Sequence, residues 1–110
     1  MCTYQTLYYH GPTGYVIRCN ECDHIQLAFK NIALTFYPPD FESFRIYLQN
    51  LFHSLNDYNS HSIRSIAVPM PCDGLKLLLS KKELSRFISM LDAADTEIKS
   101  LALISLFPAP

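Results

Sequence analysis

Cys19-Asn20-Glu21-Cys22 is the one recognisable chemical motif in the chain. Two thiolates at this spacing can grip a single zinc ion, and a closed tetrahedral site then needs two more ligands. Cys2 is the best-placed third ligand. If residues 3–9 and 15–18 form a hairpin, Cys2 returns to its open end, beside Cys19. His10 would sit at the opposite, turn end, roughly 20 Å away at the rise of a strand. His24 is closer in sequence, but sequence leaves its direction open. Cys72 joins only if its own segment folds back toward the motif. The expected metal set is therefore Cys2, Cys19 and Cys22 with zinc, the fourth ligand unassigned. Against it stands the ordinary reading, in which the cysteines are small buried residues. A second Cys-x-x-Cys would have made the zinc assignment specific.

The same thiols suit a second chemistry. A thiol-dependent oxidoreductase would use Cys19 and Cys22 as a dithiol, and it needs a thiolate stabilised by positive charge or a helix N-terminus. Glu21 and Asp23 flank Cys22, and negative neighbours disfavour a thiolate. Arg18 alone opposes them. The histidines, His10, His24, His53 and His61, are scattered, and a Cys–His pair requires closeness in space. His53 reads as a surface or boundary residue of a helix. No Gly-rich phosphate loop, HExxH or GxSxG is present, and the chain has only three glycines. No catalytic residue is expected, so a binding module is favoured over an enzyme.

Composition narrows the partners. The 110 residues carry nine basic and ten acidic side chains, for a net charge of −1. Phosphate-neutralising basic faces mark nucleic-acid binders, and the only basic doublet here, Lys81-Lys82, runs into Glu83. Neither nucleic acid nor a membrane surface is an expected partner. With 49% hydrophobic and 17% charged residues, the chain has the apolar content for one core without staples. The N-terminus lacks a basic region followed by an apolar run, and the apolar stretch Leu101 to Phe107 is too short to span a bilayer. The expected location is the cytoplasm, where cysteines stay as thiols or metal ligands.

The elements that must position the motif follow from an internal similarity. At an offset of 43 residues, with Phe29 over Cys72, Ile32, Leu34 and Phe36 fall on Leu75, Leu77 and Leu79. Phe41, Phe44 and Leu48 fall on Leu84, Phe87 and Leu91, and Ile25 and Leu27 fall on Val68 and Met70. Alternation across 25–29 and 32–36 predicts strands with one buried face. Lys30-Asn31 is the length of a tight hairpin loop, and Asp73-Gly74 is a stronger version of it. The period then lengthens to that of a helix through Phe41, Phe44, Leu48, Leu51, Phe52 and Leu55. Pro38-Pro39 suits the first turn of that helix. Ser80 and Glu83 have capping-box spacing for a second helix, with Leu84, Phe87, Ile88 and Leu91 as its stripe. The two hairpins are expected to share one antiparallel sheet under both helices.

Outside the repeat, Tyr4 to Tyr9 and Tyr15 to Ile17 flank Gly11-Pro12-Thr13-Gly14 and predict another hairpin. Its tyrosines, Tyr4, Tyr8, Tyr9 and Tyr15, read first as ordinary strand residues and second as a binding surface. Residues 56–62 form a polar loop too short for a domain linker. The uncharged tail from Leu101 to Phe107 extends a helix from Asp95 or forms a last strand. Its ordinary cover is the chain's own core; the sharper alternative is a partner or second copy.

Cys19-x-x-Cys22, the run Ile25-Gln26-Leu27-Ala28-Phe29-Lys30-Asn31, and Asp40-Phe41-x-x-Phe44 resemble a family of short uncharacterised proteins from Bacteroidetes. The resemblance spans roughly residues 15–50. That family suggests a glycine before the asparagine, where this chain has Lys30. The resemblance implies a cytoplasmic domain without an assigned activity or catalytic residues.

The reading is thus one α+β domain: an N-terminal hairpin (1–22), two strand–strand–helix halves (23–56 and 63–94) and an apolar tail (95–110). The expected role is a non-catalytic interaction or regulatory domain, self-associating as a homo-oligomer, with a structural zinc at the thiols.

Overall fold

The computed structural model describes residues 3–55, 63–70 and 73–107. It has an α+β architecture, with the N-terminal hairpin and the two strand–strand–helix halves in the expected order. Strands β1 (Tyr4–His10) and β2 (Gly14–Cys19) form the hairpin, closed by the Thr13 N–H donating to the His10 carbonyl (2.9 Å). Two local features shape it. Leu7 sits in a β-bulge between Thr6 and Tyr8, which turns an extra side chain into the core, where Leu7 is buried. Gly14 has φ +150, and a Cβ there would lie 1.9 Å from the Ala28 carbonyl oxygen. Only glycine lets β2 approach the next strand this closely.

β3 (Ile25–Phe29) and β4 (Ile32–Phe36) follow, joined by the two-residue loop Lys30-Asn31. Lys30 adopts φ 57, a left-handed position that glycine holds with least strain. That geometry explains why a glycine suits this turn. Helix α1 (Pro38–Ser54) begins with proline in its first turn and buries Phe41, Phe44 and Leu48. The second half repeats the plan with β5 (Ile66–Pro69), β6 (Lys76–Leu79) and α2 (Lys81–Ser105). Ser80 and Glu83 form a full capping box, each side chain bonded to the other's backbone N–H.

The single sheet expected from the repeat is corrected by the structure. Four antiparallel strands, in the order β1-β2-β3-β4, form one sheet, and β5-β6 form a separate one. The N-terminal hairpin, through β2, takes the open flank of β3. On the other side, an opening of about 530 Å³ lined by Lys30, Asn31, Arg64, Leu77, Leu78 and Glu83 separates the first half's turn from β6. The second turn also differs. Val68 pairs with Leu77 and Pro69 with Lys76, so the hairpin does not close on a two-residue Asp73-Gly74 loop. The displacement preserves side-chain parity, and Ile66, Val68 and Met70 are all buried.

Both helices cover one face of the strands. α2 packs on β1, β2, β6 and α1, while α1 packs on β4. The rings of Phe29 and Phe87 stack at 4.4 Å and those of Phe36 and Phe44 at 5.1 Å, with Phe44 edge-on to Phe87 at 5.8 Å. Between the helices, Arg45 bonds Glu42 (2.6 Å) and Asp92 (2.9 Å), and Gln49 bonds Asp92 (2.9 Å). The Glu42 hydrogen bonds lead in holding the Arg45 guanidinium firmly protonated, with Asp92 and Asp95 adding to them.

The tail corrects a further expectation. α2 runs unbroken through the residues from Asp95 to Ser105, and its end is not covered by the core. Leu103 (59%), Ile104 (65%), Leu106 (71%) and Phe107 (73%) are exposed among the described residues. A 25-residue helix is about 37 Å long, and the molecule measures 56 × 27 × 25 Å. No helix among the described residues is long and apolar enough to cross a membrane.

Two outcomes follow for stability. Gly14→Ala is expected to destabilise the fold by about 2–4 kcal/mol, read as a lower denaturant midpoint with an unchanged slope. The second concerns Glu83, whose carboxyl is lowered from 4.5 to about 2, first by the Arg64 hydrogen bond and then by the Ser80 N–H, against the opposing effect of burial. A depressed carboxyl contributes stability above its unfolded value and loses it as pH falls through the folded one. Stability should therefore drop between pH 4.5 and about 2, and thermal unfolding of Glu83→Gln across that window should show a shallower fall.

Candidate functional site

The thiol motif is the turn between β2 and β3. Cys19 ends β2, and the chain reverses at once: the Cys19 N–H donates to the His24 carbonyl (2.9 Å) and the Asp23 N–H to the Cys19 carbonyl (3.0 Å). Asp23 takes the left-handed position (φ 63) that lets the turn close, a conformation Asp tolerates better than most residues. The Cys22 N–H points at the Cys19 sulfur (3.3 Å), and the Cys19 thiol reaches Glu21 Oε2 (3.6 Å). Cys19 is buried and Cys22 exposed.

The turn also brings a third donor atom into reach. Cys22 Sγ lies 3.4 Å from His24 Nδ1, and the His24 ring stands edge-on to Tyr37 at 4.5 Å. Two ligands on a tetrahedral zinc, with bonds of about 2.3 Å to sulfur and 2.0–2.1 Å to nitrogen, lie ~3.6 Å apart. The Cys22–His24 spacing is thus compatible with a shared metal, and also with a thiol beside a base.

The N-terminal strand is clamped to the same turn. The Thr3 N–H and hydroxyl donate to the two Glu21 carboxylate oxygens (2.8 and 3.1 Å), and the Asn20 N–H donates to the Thr3 carbonyl (2.8 Å). The Thr3 N–H leads in holding the Glu21 carboxyl below its usual value, with the Thr3 hydroxyl and the Cys19 thiol acting the same way. Arg18, at 4.0 Å from Asp23, also bonds Gln5 (3.0 Å).

Of the residues singled out in sequence, Cys19, Cys22 and His24 share this corner. Cys2 lies outside the described residues, as do His61 and Cys72. His10 lies at the far end of the hairpin, bonded to Thr13 (3.0 Å), and His53 stands edge-on to Phe52 at the end of α1. No group of three or more His, Cys, Asp or Glu side chains among the described residues has metal-holding geometry. His24 was the residue sequence left undirected. Its approach to Cys22 follows from the left-handed Asp23 between them, so the i, i+2 spacing alone carries no signal for it. Of the clustered tyrosines, Tyr4 and Tyr9 are exposed, whereas Tyr8 packs against the core.

No curated protein matches the chain significantly, and neither does any solved structure. A family model does, over residues 1–106. The chain belongs to the family of unknown function DUF6686.

Proposed function

We propose that this chain is a non-catalytic interaction domain that associates with a second copy of itself through the free end of α2. The observation that carries this reading is the exposure of Leu103, Ile104, Leu106 and Phe107 on one uncharged helix end. Clustered apolar exposure of this kind marks interaction sites. A second copy suits it because residues 101–107 carry no ionisable side chain, so like surfaces meet without charge repulsion, and a two-fold contact is self-complementary. The thiol corner then serves as a structural zinc site, with Cys19 and Cys22 as ligands, Cys2 as the third, and His24 as the fourth. The Cys22–His24 spacing and the clamping of Thr3, the neighbour of Cys2, support that assignment. Such a site would tie the N-terminus to the β2–β3 turn.

A second reading has one observation in its favour. The exposed Cys22 beside His24 resembles a thiol with an adjacent base, as an oxidoreductase using Cys19 and Cys22 would require.

Three measurements separate these readings. Sedimentation equilibrium should give a concentration-dependent dimer, and Leu103→Glu with Phe107→Glu should give a monomer with an unchanged circular dichroism spectrum; a wild-type monomer at all concentrations overturns the self-association. Elemental analysis should find about one zinc per chain, reduced at least tenfold by Cys19→Ser, and metal-free wild type removes the zinc. Alkylation of chelator-treated protein at pH 7 should label Cys22 no faster than a free thiol; labelling about tenfold faster or more favours the oxidoreductase.

A further inference from the structure

An open cavity of about 420 Å³, walled mostly by exposed side chains with Tyr8 and Pro12 among its lining, lies at the end of the four-stranded sheet opposite the thiol corner, between the β1–β2 turn, the β3–β4 turn and the second and third turns of α2. Two cations line it, Lys30 and Arg86, with His10 between the turns and the hydroxyls of Thr13, Ser85 and Ser89 around them. Among the described residues, no carboxylate lines the cavity.

The other arginines all have acidic partners. Arg18 faces Asp23, Arg45 faces Glu42 and Asp92, and Arg64 faces Glu83. Arg86 and Lys30 have no ion pair among the described residues, and Lys30 only lies over the Phe29 ring at 5.8 Å. Two uncompensated cations around one concavity attract a multivalent anion. The hydroxyls add hydrogen-bond donors, and a guanidinium matches two oxygens of a tetrahedral oxyanion at once. Lys30 also occupies a left-handed turn position that glycine would hold with less strain. The volume falls in the range of small-molecule sites and exceeds what a bare ion fills.

We infer that this cavity binds a phosphoryl group, free or carried on a small molecule, with Arg86 and Lys30 as charge partners and the Ser85, Ser89 and Thr13 hydroxyls as donors. It is independent of both the helix end and the thiols, so its failure would leave the proposed function intact.

The test is a nitrogen-15 NMR titration of the full chain with inorganic phosphate, then with glucose 6-phosphate, at constant ionic strength in chloride. Saturable shifts are expected at Thr13, Lys30 and Ser85 through Ser89. Arg86→Gln and Lys30→Gln should each weaken binding about tenfold, whereas Lys82→Gln, on the same helix but outside the cavity, should leave it unchanged. Unfolding curves of each variant show whether its fold is intact. Tighter binding of glucose 6-phosphate assigns the site to a phosphorylated small molecule, and equal binding assigns it to free phosphate. Absence of saturation with either probe, or equal weakening by Lys82→Gln, overturns the inference.

Discussion

The two sheets share no backbone ladder, so the union of the halves rests on side chains. Its centre is Phe87 of α2, stacked on Phe29 of β3 and edge-on to Phe44 of α1. One ring therefore touches a strand of the first half, the helix of the first half and, through its own helix, β6 of the second. Each such ring removes 150–250 Å² from water, and aromatic pairs add about 0.5–1.5 kcal/mol beyond that area. Everything else depends on this contact. It fixes α2 over the four-stranded sheet, and α2 in turn supplies one wall of the open cavity and carries the exposed apolar end.

The internal similarity has a physical counterpart in the same place. Phe44 and Phe87, equivalent at the 43-residue offset, meet each other in the core. Gln49 and Asp92, also equivalent and 43 residues apart, meet across the helix pair with a 2.9 Å hydrogen bond. Equivalent residues touch in this way when two like units pack around an approximate two-fold axis. The halves have diverged where the axis does not require likeness. One ends in the helix of 17 residues that stops at Ser54, the other in the helix of 25 that projects past the core.

Much of this was legible beforehand because local chemistry and tertiary packing agree. The Ser80–Glu83 capping box, the Pro38-Pro39 start and the Lys30-Asn31 loop all lie where their residue types place them. Sheet membership was not legible, because alternation specifies which face of a strand is buried and says nothing about which edge finds a partner. The cover of the tail was equally hidden: an uncharged helix end reads the same whether the core or another molecule meets it. At the thiol corner, the spacing of Cys19 and Cys22 was plain. The approach of His24 depended on Asp23 adopting φ 63 and closing the turn, which a one-dimensional pattern does not contain. The open cavity was invisible for another reason, since Lys30 and Arg86 are 56 positions apart and only the fold joins them.

The bulge at Leu7 bears on how the molecule avoids its own kind in the wrong way. β1 is an outer strand of its sheet, seven residues long, with no lysine, arginine, aspartate or glutamate to repel a neighbouring chain. Such an edge is a template for open-ended strand addition. The inserted residue breaks the in-and-out rhythm between Thr6 and Tyr8, so an incoming strand that matches the first half of β1 is out of step with the second. One irregular residue thereby guards against fibre growth where charge does not.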